Sequence, residues 1–150
     1  MKRWKGQSGF TVLELVITML LFSIVLGIGV PGFLKLRPMY QLNGGTRYVV
    51  GRIMQARMDA IKYRCTSRVV LYDQKMWYWV DKDKDNAWDA GEYKVLNPFF
   101  ENVRTSSVYY RVQFTPLGYP DASSSTWFPL YNSSGKKNVY ITLAGRVRVL

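Results

Sequence analysis

Histidine is absent from this 150-residue chain, and cysteine occurs once, as Cys65. Without histidine the chain lacks the commonest general base and the commonest transition-metal ligand. A single cysteine excludes an intramolecular disulfide, so cysteine usage says nothing about redox compartment. Cys65 lies between Arg64 and Arg68, a setting that can lower a thiol pKa, but it reads first as a small buried hydrophobe. Acids are scarce too: ten Asp and Glu stand against 21 Lys and Arg, for a net charge of +11. There is no nucleophile elbow and no phosphate loop, and half of the acids fall in one short window. Catalysis is therefore not expected. Hydrophobic residues at 48% and aromatics at 15% are enough for a packed core, which excludes a disordered chain.

The basic excess is uneven. Outside residues 81–92, the stretch 36–150 holds fifteen Lys and Arg but four acids, Asp59, Asp73, Glu101 and Asp121. Such a surface suits a polyanion or an anionic membrane, or simply keeps the protein soluble. The window itself reads DKDKDNAWDAGE, with Asp81, Asp83, Asp85, Asp89 and Glu92 at positions 1, 3, 5, 9 and 12. That is the ligand spacing of a calcium loop. The flanks MWYWV and EYKVL are strand-like, where an EF-hand has helices. Position 6 is Asn86 instead of Gly, position 8 is the large Trp88, and Lys82 and Lys84 offset the charge. The window reads as a polar hairpin tip, and no cofactor is expected; if calcium bound, those five acids would be its ligands.

The N-terminus carries the most specific signal. Lys2, Arg3 and Lys5 form a short basic leader, the pattern of cytoplasmic retention. Leu15 to Leu34 are twenty residues without a charge. As a helix they span about 30 Å, one bilayer. No small-residue cleavage site follows the run; Gly9 precedes it instead. Glu14 is a carboxylate at the start of an apolar helix, costly in lipid unless paired. A cut between Gly9 and Phe10 would free an α-amino group at Phe10, four residues from Glu14 and on the same helical face. The pair could then join neighbouring chains. A formal G-x-G-x-x-G at Gly27, Gly29 and Gly32 lies inside this apolar helix, contains Pro31, and has Gly51 and Arg52 where an acid should follow. It is not a dinucleotide fingerprint.

The run GFTVLE after a basic leader, then an apolar helix with Pro31 near its far end, resembles the type III signal of type IV prepilins and type II secretion pseudopilins. The resemblance implies that a prepilin peptidase cuts after Gly9 and N-methylates Phe10, and that Glu14 registers subunits in a filament. It implies a single-pass inner-membrane protein before assembly. Afterwards the chain would lie in a pilus or pseudopilus, in the periplasm or at the cell surface, with other pilins or pseudopilins as partners. The corresponding parts are residues 1–9 as leader, 10–35 as apolar helix and 36–150 as head.

Beyond Pro38, which marks a bend or register change, residues 43–64 are again helical in pattern. Val49, Val50, Ile53, Met54, Ala60 and Ile61 form an apolar side, and Arg52, Gln55, Asp59 and Lys62 a polar one. Strands follow at about 68–72, 76–80, 92–96, 108–114, 127–131 and 138–150, with Asp73-Gln74-Lys75 as a tight hairpin connection. Trp77 and Trp79 share one strand face and are expected to pack in the core. The fold class is α+β: a long N-terminal helix packed on an antiparallel β-meander, the globular pilin layout. RMDAIKYRCTSRVVLY, the acidic loop before EYKVL, VQFTPLGYP and the terminal ITLAGRVRVL are similar to the FimT/GspH group of minor pilins and minor pseudopilins.

The stretch Gly145 to Arg148 reads GRVR. On a strand, Arg146 and Arg148 project from one face, about 7 Å apart, while Val147 and Val149 point inward. That spacing matches successive phosphates of one nucleic-acid strand. Lys136 and Lys137 could extend the patch. A solvated strand edge using arginine against aggregation is the plainer alternative. The resemblance implies DNA binding: FimT-type pilins of transformable bacteria are associated with a C-terminal G-R-x-R motif. GspH-type pseudopilins tend to share the G-R portion, so a structural role in a secretion system is the other reading.

Overall fold

The computed structural model describes residues 10–72, 75–87, 89, 91–96, 102–106 and 108–150. The leader with Gly9, the Asp73-Gln74 connection and Trp88 lie outside the described residues. The chain divides into two units, Met1–Arg37 and Pro38–Leu150.

Among the described residues one helix, α1, runs Val12–Tyr63. Thr11 caps it: its Oγ1 accepts from the Glu14 N–H at 3.2 Å, and Thr-x-x-Glu has capping-box spacing. Within the first unit no described helical side chain is buried. The hydroxyls of Thr18 and Ser23 donate back to the helix carbonyls of Leu15, Met19 and Leu20, so they need no outside partner. The helix runs on through Pro31 and Pro38, although neither proline has an N–H to give to the helix ladder. The helix ends where Arg64 turns to φ 50° and the Cys65 N–H reaches the Ala60 carbonyl at 3.2 Å. This is a left-handed cap on a residue that is not glycine.

In the second unit α1 buries Leu42, Gly45, Thr46, Val49, Ile53, Ala56 and Ala60. The stripe is narrower than the apolar pattern suggested. Met54 and Ile61, expected inside, are exposed, because small residues that carry no hydrophobic signal occupy the contact face. Among the described residues seven strands follow: β1 Ser67–Tyr72, β2 Lys75–Val80, β3 Tyr93–Leu96, β4 Tyr110–Phe114, β5 Trp127–Asn132, β6 Gly135–Ile141 and β7 Val147–Val149. They form two antiparallel sheets, β3-β2-β1-β4 and β5-β6-β7. The architecture is the expected α+β one, with the meander divided between two sheets.

One core joins the helix to both sheets. Val69, Leu71, Met76, Tyr78, Val112 and Phe114 come from the first sheet, and Phe128, Leu130, Val139 and Ile141 from the second. Polar groups at the seam are satisfied: Ser67 Oγ donates to the Ala56 carbonyl at 2.6 Å, Thr105 Oγ1 to the Pro129 carbonyl at 2.9 Å, and Tyr78 Oη to Asp59. Trp77 and Trp79 share a face, but it is the face opposite Met76, Tyr78 and Val80. Trp79 is nonetheless fully buried, with the Arg68 guanidinium 4.7 Å over its ring.

Candidate nucleic-acid interface

Strand alternation and register determine which side chains meet on the second sheet. Trp127 pairs with Tyr140, Tyr140 with Arg148, and Tyr131 with Lys136. These five residues therefore share one face, while Phe128, Leu130, Val139 and Ile141 fill the core from the other. Trp127 is 45% exposed and Tyr131 38%; Lys136 and Arg148 are exposed and Tyr140 is half-buried. The Lys136 Nζ lies 6.0 Å from the Trp127 ring centroid, at the outer limit of a cation–π contact. Of the two adjacent lysines only Lys136 is on this face. Lys137 pairs with Leu130 and lines, with Asn43, Thr46, Arg47, Val50, Gly51 and Val149, an open cleft of about 470 Å³ on the other side.

The GRVR stretch is not one strand with residues 138–145. A turn at Thr142–Gly145 separates β6 from β7. The Gly145 N–H donates to the Thr142 carbonyl at 2.8 Å, the Thr142 N–H to the Arg146 carbonyl at 2.9 Å, and the Arg146 N–H to Thr142 Oγ1 at 3.1 Å. Arg146 thus closes the hairpin, and alternation from Arg148 keeps it on the outer face. Both arginines are exposed. Val147 packs against the core, but Val149, expected inside, is exposed at the end of an edge strand.

Gly145 plays a different part. It is buried, at φ 75°, and a Cβ there would lie 2.8 Å from the Gly118 carbonyl oxygen and 2.9 Å from Arg57 Nε. Arg57 Nε in turn donates to that carbonyl at 2.9 Å. Glycine is needed for the turn and for this close approach. It shapes the hairpin that presents Arg146 and is not itself available to a ligand. Trp127, Tyr131 and Tyr140 were not picked out from the sequence. The signal was there in the alternation of 127–131 and 136–140, but it depended on knowing the register.

In the first unit, Phe10 is 82% exposed and Glu14 is exposed. An 18-residue window of α1 has mean hydropathy 2.4 with none of it buried, long and apolar enough to cross a membrane. The acidic window forms the β2–β3 connection. Carboxylate oxygens of Asp81, Asp83 and Asp85 lie within 4.8 Å of one another, with Asp81 buried and the other two exposed. Burial holds the Asp81 carboxyl above the usual carboxylate range, and the Asp85 charge does the same to Asp89. Cys65 is buried, and burial pushes its thiol up, opposite to what a reactive thiolate needs.

Residues 4–30 match the prokaryotic N-terminal methylation motif. The match covers Phe10 and Glu14 and supports a type IV pilin-like chain, a substrate of the prepilin peptidase that assembles with other pilins. With the apolar helix, it fits inner-membrane anchoring before assembly. No curated protein and no solved structure matches the chain.

Proposed function

We propose that this chain is a minor type IV pilin of the FimT type that binds DNA without sequence preference during uptake. Its leader is removed after Gly9, Phe10 is N-methylated, and Glu14 registers it among other pilins. The carrying observation is the outer face of the second sheet, which Arg146, Arg148 and Lys136 share with exposed Trp127 and Tyr131. Cations engage phosphates, which position a strand without reading it. Exposed aromatics offer base-stacking surfaces that any sequence can use.

The test is DNA binding by the full chain in detergent, followed by fluorescence anisotropy at several salt concentrations. Affinity should fall steeply with salt, in proportion to the phosphates engaged. Arg146→Gln with Arg148→Gln should weaken binding about tenfold or more, from roughly 1 kcal/mol per lost contact. Equal binding by wild type and double variant would sink the arginine assignment.

The second reading is a GspH-type minor pseudopilin with a structural role. Its support is that Gly145 and the Arg146 backbone are accounted for by hairpin closure alone. Absence of binding by either protein at low salt would favour it.

A further inference from the structure

Among the described residues, two carboxylate oxygens of the acidic loop are buried without a hydrogen-bond partner. Asp81 is 3% exposed, and its Oδ1 is buried with no hydrogen-bond partner. At the other end of the loop, Glu92 Oε2 is likewise buried and without one. A buried oxygen of a carboxylate without a partner is costly. Two of them, at positions 1 and 12 of one loop, ask for a cation. The loop's own lysines do not supply it: the Lys82 Nζ sits 5.6 Å over the Tyr63 ring, and Lys84 is exposed. Among the described residues, no ion pair joins the loop's acids to a Lys or Arg.

The loop folds around these oxygens. Lys84 and Asn86 both turn the loop with positive φ, 67° and 62°. Glu92 reaches back across the loop, its Oε1 accepting from the Lys82 N–H at 2.6 Å. Its own backbone accepts from the Val80 N–H at 3.1 Å, so Glu92 is fixed to the end of β2. The Asp83 and Asp85 carboxylates lie beside Asp81.

We infer that the β2–β3 loop binds a calcium ion through Asp81, Asp83 and Asp85, whose carboxylate oxygens lie within 4.8 Å of one another, with Glu92 closing on the ion from the far end of the loop. Every donor is an oxygen, which selects a hard cation over zinc, copper or nickel. Several carboxylates gathered in one loop suit the six to eight ligands of calcium better than the small rigid octahedron of magnesium. The strands on either side replace the helices of an EF-hand: β2 holds Asp81 at its end, and the β2–β3 pairing brings Glu92 back to it. The ion would close the β2–β3 connection and so stiffen one edge of the first sheet.

The test is titration calorimetry of the full chain in detergent after chelator treatment, with calcium and with magnesium. Calcium should bind with a Kd on the order of 10⁻⁴ M, as weak extracellular sites do, and raise the melting temperature. Magnesium should bind at least about tenfold more weakly. Asp83 and Asp85 are exposed, so Asp83→Asn and Asp85→Asn leave the fold intact; each should weaken calcium about tenfold. Asp81→Asn should abolish binding, and Asp121→Asn, outside the loop, should leave it unchanged. If Asp81→Asn does not fold, the two exposed variants decide. No calcium binding up to about 10 mM, equal affinity for magnesium, or calcium binding unchanged by Asp83→Asn and Asp85→Asn would each overturn the inference.

Discussion

The same helix is built in two opposite ways. Before Arg37 its apolar side chains are all exposed, while after Pro38 it presents a stripe of small and branched residues to two sheets. The first stretch is apolar around its whole circumference, so nothing within its own unit can cover it. Such a stretch fits inner-membrane anchoring before assembly with other pilins. The second stretch encloses its own core and leaves its charges outside. One element thus serves two solvents, and the single carboxylate in the apolar stretch, Glu14, stands out for that reason.

Breaking that carboxylate should have the largest effect. Glu14→Ala should still insert in the membrane, since it removes a charge from an apolar segment. Its incorporation into filaments should nearly vanish, as measured by shearing and immunoblotting; wild-type incorporation would refute the registering role. Next comes the packed stretch. Ile53→Ala should destabilise the head by roughly 2–5 kcal/mol in thermal or denaturant unfolding. Leu20→Ala, in the exposed stretch, should leave that transition where it is, and a matching loss would contradict the division between the two. Gly145→Ala should cost about 1–3 kcal/mol through its positive φ and the crowding with Gly118 and Arg57. Arg146→Gln, one residue on, should leave the melting temperature unchanged and alter DNA affinity only. The smallest effect separates the two lysines: Lys136→Gln should weaken DNA binding about twofold to fivefold, a fraction of a charged contact, and Lys137→Gln less. Equal effects would move the interface to the cleft beside α1.

The two stretches also differ in how far they could be read from sequence. The apolar run, Gly9, Phe10 and Glu14 form a local pattern that needs no tertiary knowledge. The head's contact stripe was only partly legible, because Gly45, Thr46 and Ala56 let the sheets approach without announcing themselves as hydrophobic. The last strand was read as continuous, although Gly145 at φ 75° turns it into a hairpin. The arginines of the candidate interface were legible from alternation, but the aromatics beside them required the β5–β6 register. The acidic loop gave its ligand spacing in sequence; the buried, unpartnered oxygens of Asp81 and Glu92 appear only in three dimensions.

On the function proposed above, the exposed apolar stretch becomes an assembly element when cleavage after Gly9 leaves a free, methylated Phe10 terminus to pair with Glu14 of a neighbouring pilin. Intact-mass and peptide mass spectrometry of the chain from cells with an active prepilin peptidase test this most directly. The account predicts a mature protein beginning at N-methylated Phe10, with residues 1–9 removed. A protein that retains Met1, or begins at any other residue, would contradict it.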